Sequence, residues 1–222
     1  MPLSERHNLI FLSPQGQAYA WDRREQPAED DERYRTLFFT LPGICRVSPP
    51  ETAEHMAALG FSLPIRRKEN RIRIASQAPK SEILQVLTPW EIPRLIPRLP
   101  EPAGSVLRQL DQAARNRKIA FGIFGSAALQ SVTGYPYLHP SSDLDVVISS
   151  APKENILDFY RELNDISHHS SFSIDVELKL DATSYIKLHE LMGGARTVLS
   201  KGTTSPRLLS SQAIWNTIAE KP

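Results

Sequence analysis

The pattern of hydrophobic and polar positions is sharpest between residues 105 and 194, where helical and strand periods alternate. A helical stripe after Ser105 is followed by an apolar run, Ile119–Phe124, which predicts a buried strand. The pattern then predicts, in chain order, a helix over Ala127–Thr133, a strand over Asp143–Ile148, a helix beginning at Pro152, an alternating strand over Phe172–Leu180 and a helix over Ser184–Met192. Strands interleaved with helices predict an α/β (α+β) unit built on one sheet.

The first 88 residues have a weaker pattern. Short apolar runs at Asn8–Leu12, Leu37–Thr40 and Ile72–Ala75 predict strands. Glu51–Leu59 has a weak helical period that ends at Gly60, which predicts a helix there. This part of the chain is therefore expected to form a smaller α/β or mostly β domain.

A proline-rich segment separates the two patterns. Thr88–Pro102 holds five prolines, with apolar residues interleaved among them. Such a segment is too apolar for a flexible linker, so it is interpreted as a packed connection. The predicted organisation is an N-terminal domain over 1–88, a connection over 89–102 and a C-terminal domain over 103–222.

Composition narrows the function classes. The chain has 222 residues and a formal net charge of +1, which argues against a dedicated nucleic-acid binder. A single cysteine excludes an internal disulfide. No signal peptide is visible, and no apolar run approaches the ~20 residues of a membrane span. The expectation is a soluble cytoplasmic protein that does not bind a membrane.

The main chemical motif is Asp143-Leu144-Asp145 on a predicted strand. Because side chains alternate along a strand, both carboxylates are expected on one face, where they would repel each other unless a cation lies between them. A pair of solvated acids on an edge strand is the simpler alternative. Upstream, Gly125-Ser126 opens a helix whose N–H groups would favour a phosphate. A metal beside a phosphate indicates phosphoryl or nucleotidyl transfer.

A further carboxylate is expected from the alternating strand. Asp175 and Glu177 share one face of it, and either could complete the site, with Asp175 preferred. Asp143, Asp145 and Asp175 would then bind two Mg²⁺ ions, and Asp175 would align or deprotonate an attacking hydroxyl. Ser126 would hold the terminal phosphates together with the backbone that follows it.

Basic residues supply the remaining candidates. Arg66, Arg67 and Lys68 form a cluster with Arg71 and Arg73, which is either a solvated face or a docking site for a phosphorylated substrate or acidic protein. Lys201 and Arg207 are further candidates for binding phosphate.

These motifs resemble the nucleotidyltransferase superfamily and, within it, the phosphoribosyl-dephospho-CoA transferases of malonate decarboxylase, also called holo-acyl-carrier-protein synthases. The matching stretches span nearly the whole chain: Arg6–Leu9, Ala58–Pro64, Phe124–Ser126, Thr133-Gly134, Ser142–Asp145, Ile174–Glu177 and Ser205–Leu208. The chain departs from the family pattern at Asn8, where an aspartate is usual, and at Ser205, where a glycine is usual.

The resemblance implies a C-terminal mixed sheet with flanking helices and a defined reaction. The 2′-(5-triphosphoribosyl)-3′-dephospho-CoA group would pass to a serine of the malonate decarboxylase acyl carrier protein, and pyrophosphate would leave. The N-terminal domain would help to bind the carrier or the pantetheine arm. The alternatives are a nucleotidyltransferase with another acceptor (a citrate-lyase-type carrier protein, a small metabolite or RNA) and a non-catalytic nucleotide-binding module.

Overall fold

The computed structural model describes residues 5–25, 32–46, 52–67, 70–202 and 206–219. The chain divides into two units, Met1–Thr88 and Pro89–Pro222. The proline-rich segment therefore begins the second unit. Within the described ranges, no helix combines the length and the apolar character needed to cross a membrane.

The first unit is built on an antiparallel sheet. Its strands are β1 (Leu9–Leu12), β2 (Gly43–Cys45), β3 (Met56–Arg67), β4 (Asn70–Pro79) and β5 (Ile83–Leu87). Its helical segments are α1 (Pro14–Asp22), α2 (Glu32–Phe38) and a 3₁₀ turn at Lys80–Glu82. The described strands lie in the order β4-β3-β2-β1-β5, and their pairings are antiparallel.

An aromatic cluster joins the helices of this unit to its sheet. The Phe38 ring of α2 lies 4.0 Å from the Phe61 ring of β3 and 5.2 Å from the Trp21 ring of α1, measured between ring centroids. All three side chains are buried. Burial of such large apolar surfaces is the main favourable term that holds the two helices on the sheet.

Two sequence predictions in this unit are wrong. The strand predicted at Leu37–Thr40 is instead the end of α2 and the turn after it. The helix predicted at Glu51–Leu59 is replaced over Met56–Leu59 by the start of β3, while Glu51 lies outside the described residues. Cross-strand pairing outweighs the weak helical preference there, because β3 pairs with β4 from Met56 onwards. The strands predicted at Asn8–Leu12 and Ile72–Ala75 are confirmed as β1 and part of β4.

The second unit is built on a mixed sheet with flanking helices, so the α/β fold class is confirmed. Its strands are β6 (Phe121–Ile123), β7 (Asp143–Ser149), β8 (Ser173–Lys179), β9 (Ser184–Lys187), β10 (Thr197–Gly202) and β11 (Arg207–Ser210). Its helices are α3 (Ala103–Asn116), α4 (Gly125–Thr133), α5 (Lys153–His168), α6 (Leu188–Met192) and α7 (Ser211–Ala219).

Neighbouring strands of this sheet follow the order β11-β10-β9-β8-β7-β6 over the described residues. Strands β7 and β8 run parallel, and helix α5 forms the crossover that a parallel pair requires. The helical period of α5 predicts an inward stripe of Ile156, Phe159, Tyr160 and Leu163. The structure buries Ile156, Phe159 and Leu163, whereas Tyr160 is only partly buried. The crossover brings two acid-bearing strands side by side.

The proline-rich segment is a 3₁₀ helix, Pro89–Arg98, with Ile92 and Ile96 buried. Its interior prolines, Pro93 and Pro97, lack the N–H groups of a regular α-helix, which favours the tighter and shorter-range form. The segment packs closely on β6, since a Cβ atom on Gly122 would lie 3.0 Å from the Pro89 backbone.

The helix predicted at Ser184–Met192 is only partly correct. Ser184–Lys187 forms strand β9, and helix α6 covers only Leu188–Met192. Strand β9 pairs with β8 on one side and β10 on the other. These two ladders satisfy the backbone hydrogen bonds of β9. The hydrophobic pattern within Ser184–Met192 gives no information on pairing with distant strands.

Candidate functional site

The parallel pairing of β7 with β8 brings the predicted carboxylates together. Asp145 lies directly beside Asp175 in the register, and Asp143 lies beside Ser173. Adjacent strands are about 4.8 Å apart, so the two aspartates are close neighbours on one face. Leu144 and Val146 point to the opposite face and are fully buried there. We call Asp143, Asp145, Asp175 and Glu177 the acid cluster, and the sheet face that bears them the site face.

The start of helix α4 lies against the Asp145 carboxylate. The Phe124 backbone N–H donates to the Asp145 carbonyl oxygen at 3.1 Å, which fixes the helix start beside β7. Gly125 follows with φ +64°, and a Cβ atom there would lie 2.0 Å from Asp145 Oδ2. Glycine is therefore required at position 125 for two reasons, its backbone conformation and the close carboxylate.

The Asp145 carboxyl is electrostatically the most perturbed member of the acid cluster. Burial, followed by the charges of Asp175, Asp143 and Glu177 in that order, raises the pKa of Asp145 to about 7. Among the described residues, Lys187 is the cation that opposes this rise in the pKa of Asp145. A carboxyl in this position favours an added cation, because a cation would stabilise its ionised form.

Lys187 is a site residue that the sequence analysis did not identify. Its Nζ donates to Asp175 Oδ2 at 2.8 Å, and the Asp175 carboxylate raises the pKa of the ammonium group. The register of β8 with β9 places Lys187 directly opposite Glu177. A strand pattern through Tyr185 and Lys187 could have placed the lysine on this face, but the predicted helix hid that signal.

Asp175 and Glu177, the two rivals for the further carboxylate, differ in access to solvent. Asp175 is half-buried, whereas Glu177 is buried between Val147 of β7 and Lys187 of β9. Asp175 is therefore the more accessible carboxylate of the two. It is also the one in register with Asp145.

The candidate phosphate-binding residues fall into separate places. Gly125 and Ser126 form the start of α4, beside Asp145. Lys201 lies on β10 opposite Tyr185, which puts it on the site face, exposed and two strands from β8. Arg207, on β11, lies opposite Ser200 of β10, so the register puts Arg207 on the other face of the sheet. The structure does not bring Arg207 together with the acid cluster.

The basic cluster of the sequence analysis belongs to the first unit. Arg66 and Arg67 end strand β3 and pair with Arg71 and Asn70 of β4. Both arginines are exposed. Lys68 lies outside the described residues.

The residues that could bind a metal on the site face are Asp143, Asp145 and Asp175, whose carboxylate oxygens are suited to Mg²⁺. No group of three or more acidic, histidine or cysteine side chains is arranged for a metal within the ranges that the structure describes. One Asp175 oxygen is held in the ion pair with Lys187. The chemistry of the donors and the crowded charge at Asp145 nevertheless fit a divalent cation.

Comparisons with known proteins match nearly the whole chain. Residues 5–89 match the family model described as phosphoribosyl-dephospho-CoA transferase MdcG N-terminal domain, and residues 91–212 match that of the C-terminal domain. The site residues of β7, β8 and β9 all lie within the second match.

Curated relatives agree with the family models. A phosphoribosyl-dephospho-CoA transferase of Xanthomonas euvesicatoria is 28% identical, over 96% of this chain and 97% of its own length. One from Bradyrhizobium diazoefficiens is 28% identical over 88% of this chain and 85% of its own length. One from Pseudomonas putida strain GB-1 is 36% identical over 50% of this chain and 53% of its own length.

The search of solved structures gave no match to this chain. The family assignment therefore rests on the two domain models, which together cover residues 5–89 and 91–212. On that basis the chain belongs to the phosphoribosyl-dephospho-CoA transferases, which are a family of transferase enzymes.

Proposed function

We propose that this enzyme transfers the 2′-(5-triphosphoribosyl)-3′-dephospho-CoA group to a serine of the malonate decarboxylase acyl carrier protein, with release of pyrophosphate. The observation that supports this most directly is the register of Asp145 with Asp175 beside the start of α4. Carboxylates next to a helix N-terminus are suited to a polyphosphate donor and a hydroxyl acceptor.

The proposed reaction is a single displacement at phosphorus. The serine oxygen forms a bond to the innermost phosphorus of the donor triphosphate, and the bond from that phosphorus to its bridging oxygen breaks. Pyrophosphate leaves with the electron pair of that bond. Asp175, the more accessible of the two rival carboxylates, takes up the serine proton and orients the hydroxyl.

The start of α4 is proposed to bind the departing phosphates. The first backbone N–H groups of α4, at Gly125 and Ser126, would donate to a phosphate, and Ser126 adds a hydroxyl at the same place. Lys201 is exposed on the same sheet face and is a more distant candidate for phosphate contact. Arg207 has no part in the proposal, since its register places it on the other face.

Two Mg²⁺ ions are proposed as the cofactor, bound by Asp143, Asp145 and Asp175. When bound, they would neutralise charge on the phosphates and lower the barrier to displacement. The protein's own contribution is to hold these carboxylates on rigid, paired strands with buried residues behind them. That arrangement reduces the reorganisation needed at the moment of reaction.

The carrier protein is proposed to dock on the basic cluster of the first unit. Arg66 and Arg67 are exposed at the end of β3, and the adjacent strand adds Arg71 and Arg73. An acidic carrier surface would be attracted to such a patch, which mainly raises the association rate.

The test is a transfer assay with purified enzyme, triphosphoribosyl-dephospho-CoA and apo-carrier protein. We expect pyrophosphate release in Mg²⁺, a mass increase on one carrier serine and no reaction in EDTA. Citrate-lyase-type carrier protein and RNA are offered as competing acceptors. Preferential labelling of either one would overturn the assigned acceptor, and no pyrophosphate release with any acceptor would overturn the reaction.

A further inference from the structure

Lys187 lies beside the acid cluster and contacts it directly. Its ammonium group is 2.8 Å from Asp175 Oδ2, and both side chains are partly open to solvent, 35% for the lysine and 26% for the aspartate. Lys187 also faces Glu177 across the β8–β9 ladder. The lysine therefore occupies one of the carboxylates to which the proposed function assigns a metal.

The backbone of Lys187 is held firmly while its side chain is not enclosed. Ile186 before it and Leu188 after it are almost fully buried, and the residue joins strand β9 to helix α6. A lysine side chain has a flexible four-carbon stem with donors at its tip. The ammonium group can thus change partners without any movement of the sheet.

The charges around Lys187 favour such a change. In the described part of the site, Asp143, Asp145, Asp175 and Glu177 supply up to four negative charges to the single positive charge of Lys187. One ammonium group cannot balance this set. A cation bound to the carboxylates would repel the ammonium group, and a phosphate on the site face would attract it.

We propose that Lys187 has two successive partners: Asp175 in the free enzyme, and the triphosphate of the donor in the loaded enzyme. In the free enzyme it holds Asp175 in place and limits repulsion within the acid cluster. In the loaded enzyme Asp175 is released to the metal and the attacking hydroxyl, and the ammonium group donates to a phosphate oxygen. This inference rests on the proposed function, because it takes the triphosphate donor and the metal from it.

The test measures binding without any acceptor, so it is independent of turnover. Binding of Mg²⁺ alone, and of inorganic tripolyphosphate in saturating Mg²⁺, is measured by calorimetry for the wild type, Lys187→Met, Lys187→Arg and Lys179→Met. Lys179→Met is the matched control, because Lys179 lies on the same face of β8, four residues from Asp175. Thermal unfolding verifies that each variant is folded, and Lys187→Gln, which also removes the charge, replaces the methionine variant if that one does not fold.

We expect Lys187→Met to bind Mg²⁺ roughly two- to tenfold more tightly, since a competing cation has been removed. The same variant should bind tripolyphosphate at least about tenfold more weakly, since a charged donor has been lost. Lys187→Arg keeps the charge and should fall between the wild type and the methionine variant on both measures. Lys179→Met should match the wild type on both.

The outcomes separate this inference from the proposed function. If the wild type binds both probes and Lys187→Met binds either of them as the wild type does, the exchange of partners is wrong while the proposed function stands. If the wild type binds neither probe, the proposed function fails and this inference fails with it. A Lys179→Met variant that matches Lys187→Met would show a general charge effect and would also overturn the inference.

Discussion

At the level of single residues, the acid cluster depends on contacts that substitutions can remove one at a time. Asp145 combines burial, three neighbouring carboxylates and the glycine at the start of α4. Lys187 balances part of that charge through Asp175. Repulsion among these carboxylates therefore lowers the stability of the folded enzyme before any cation is bound. This loss of stability should be measurable in the metal-free enzyme.

Asp145→Asn should abolish transfer and stabilise the metal-free enzyme at high pH. The pKa of Asp145 is about 7 in the folded enzyme, against 3.8 as its ordinary value, so the unfolded chain releases its proton first as pH rises. Wild-type stability should fall between about pH 4 and pH 7, and the asparagine variant lacks this loss. We expect the variant to gain on the order of 1–3 kcal/mol at pH 8 and little at pH 4.

Denaturant unfolding in EDTA at both pH values measures this effect. Asp143→Asn is the control, because Asp143 is exposed and its charge is solvated. It should also lose transfer but gain less stability at pH 8. An Asp145→Asn variant less stable than the wild type at pH 8 would contradict the repulsion described here.

Gly125→Ala should reduce turnover more than Ser126→Ala. The alanine methyl group would meet the Asp145 carboxylate and would also strain a backbone with φ +64°, a strain of about 1 kcal/mol. Ser126→Ala removes one donor while the backbone donors remain, and the loss of one preorganised donor lowers the rate by at most about 10²–10³.

Gly134→Ala is the matched control for Gly125→Ala. Gly134 has φ +75°, and a Cβ atom there would meet no atom within 4 Å. The two alanine variants share the backbone strain, so the difference in kcat between them isolates the collision with Asp145. Equal kcat values would show that the start of α4 does not need to approach the carboxylate.

At the level of secondary structure, the strands β7, β8 and β9 place every member of the site. The strict alternation along β8 predicted that Asp175 and Glu177 share a face, and the apolar residues around the Asp-Leu-Asp motif predicted β7. Their parallel register does not follow from periodicity, because it is set by the α5 crossover. Lys187 was missed, because the short strand β9 was outweighed by the helical period of Ser184–Met192 and forms through its two neighbouring strands.

Gly202→Ala tests the part of the sheet that supports Lys187. A Cβ atom on Gly202 would lie 1.5 Å from the Thr183 carbonyl oxygen, so the β9–β10 ladder must shift to accept it. We expect a loss of roughly 1–3 kcal/mol in unfolding free energy and weaker binding of tripolyphosphate. Gly134→Ala again supplies the control in the same denaturant series, and a Gly202→Ala variant as stable as that control would show that the contact is not restrictive.

At the level of the whole molecule, the basic cluster and the acid cluster belong to different units of the chain. The sequence distinguished a weakly patterned first part from a sharply patterned second part. It failed at Leu37–Thr40 and Met56–Leu59, where tertiary pairing and packing decided between helix and strand. The acid cluster was predicted more completely than the fold of the first unit, because its residues lie in two strands and one turn that local sequence patterns identify.

Replacing Arg66, Arg67 and Lys68 with alanine should raise KM for the carrier protein and flatten its salt dependence. Rim charges act mainly on association, so kcat at saturating carrier should stay within about twofold of the wild type. Steady-state kinetics at low and high salt measure both parameters. Arg94→Ala combined with Arg98→Ala removes exposed cations from the second unit and should leave KM unchanged. A loss of kcat without a change in KM would assign the cluster to the donor.

The central claim is that the carboxylates of β7 and β8 perform transfer to the carrier. The most direct measurement is mass spectrometry of apo-carrier after incubation with the donor and Mg²⁺, using the wild type and Asp145→Asn at equal concentration. We predict that the wild type adds the dephospho-CoA-derived group to one serine and that the variant leaves the carrier unmodified. A carrier modified equally by both proteins, or by neither, would contradict the account.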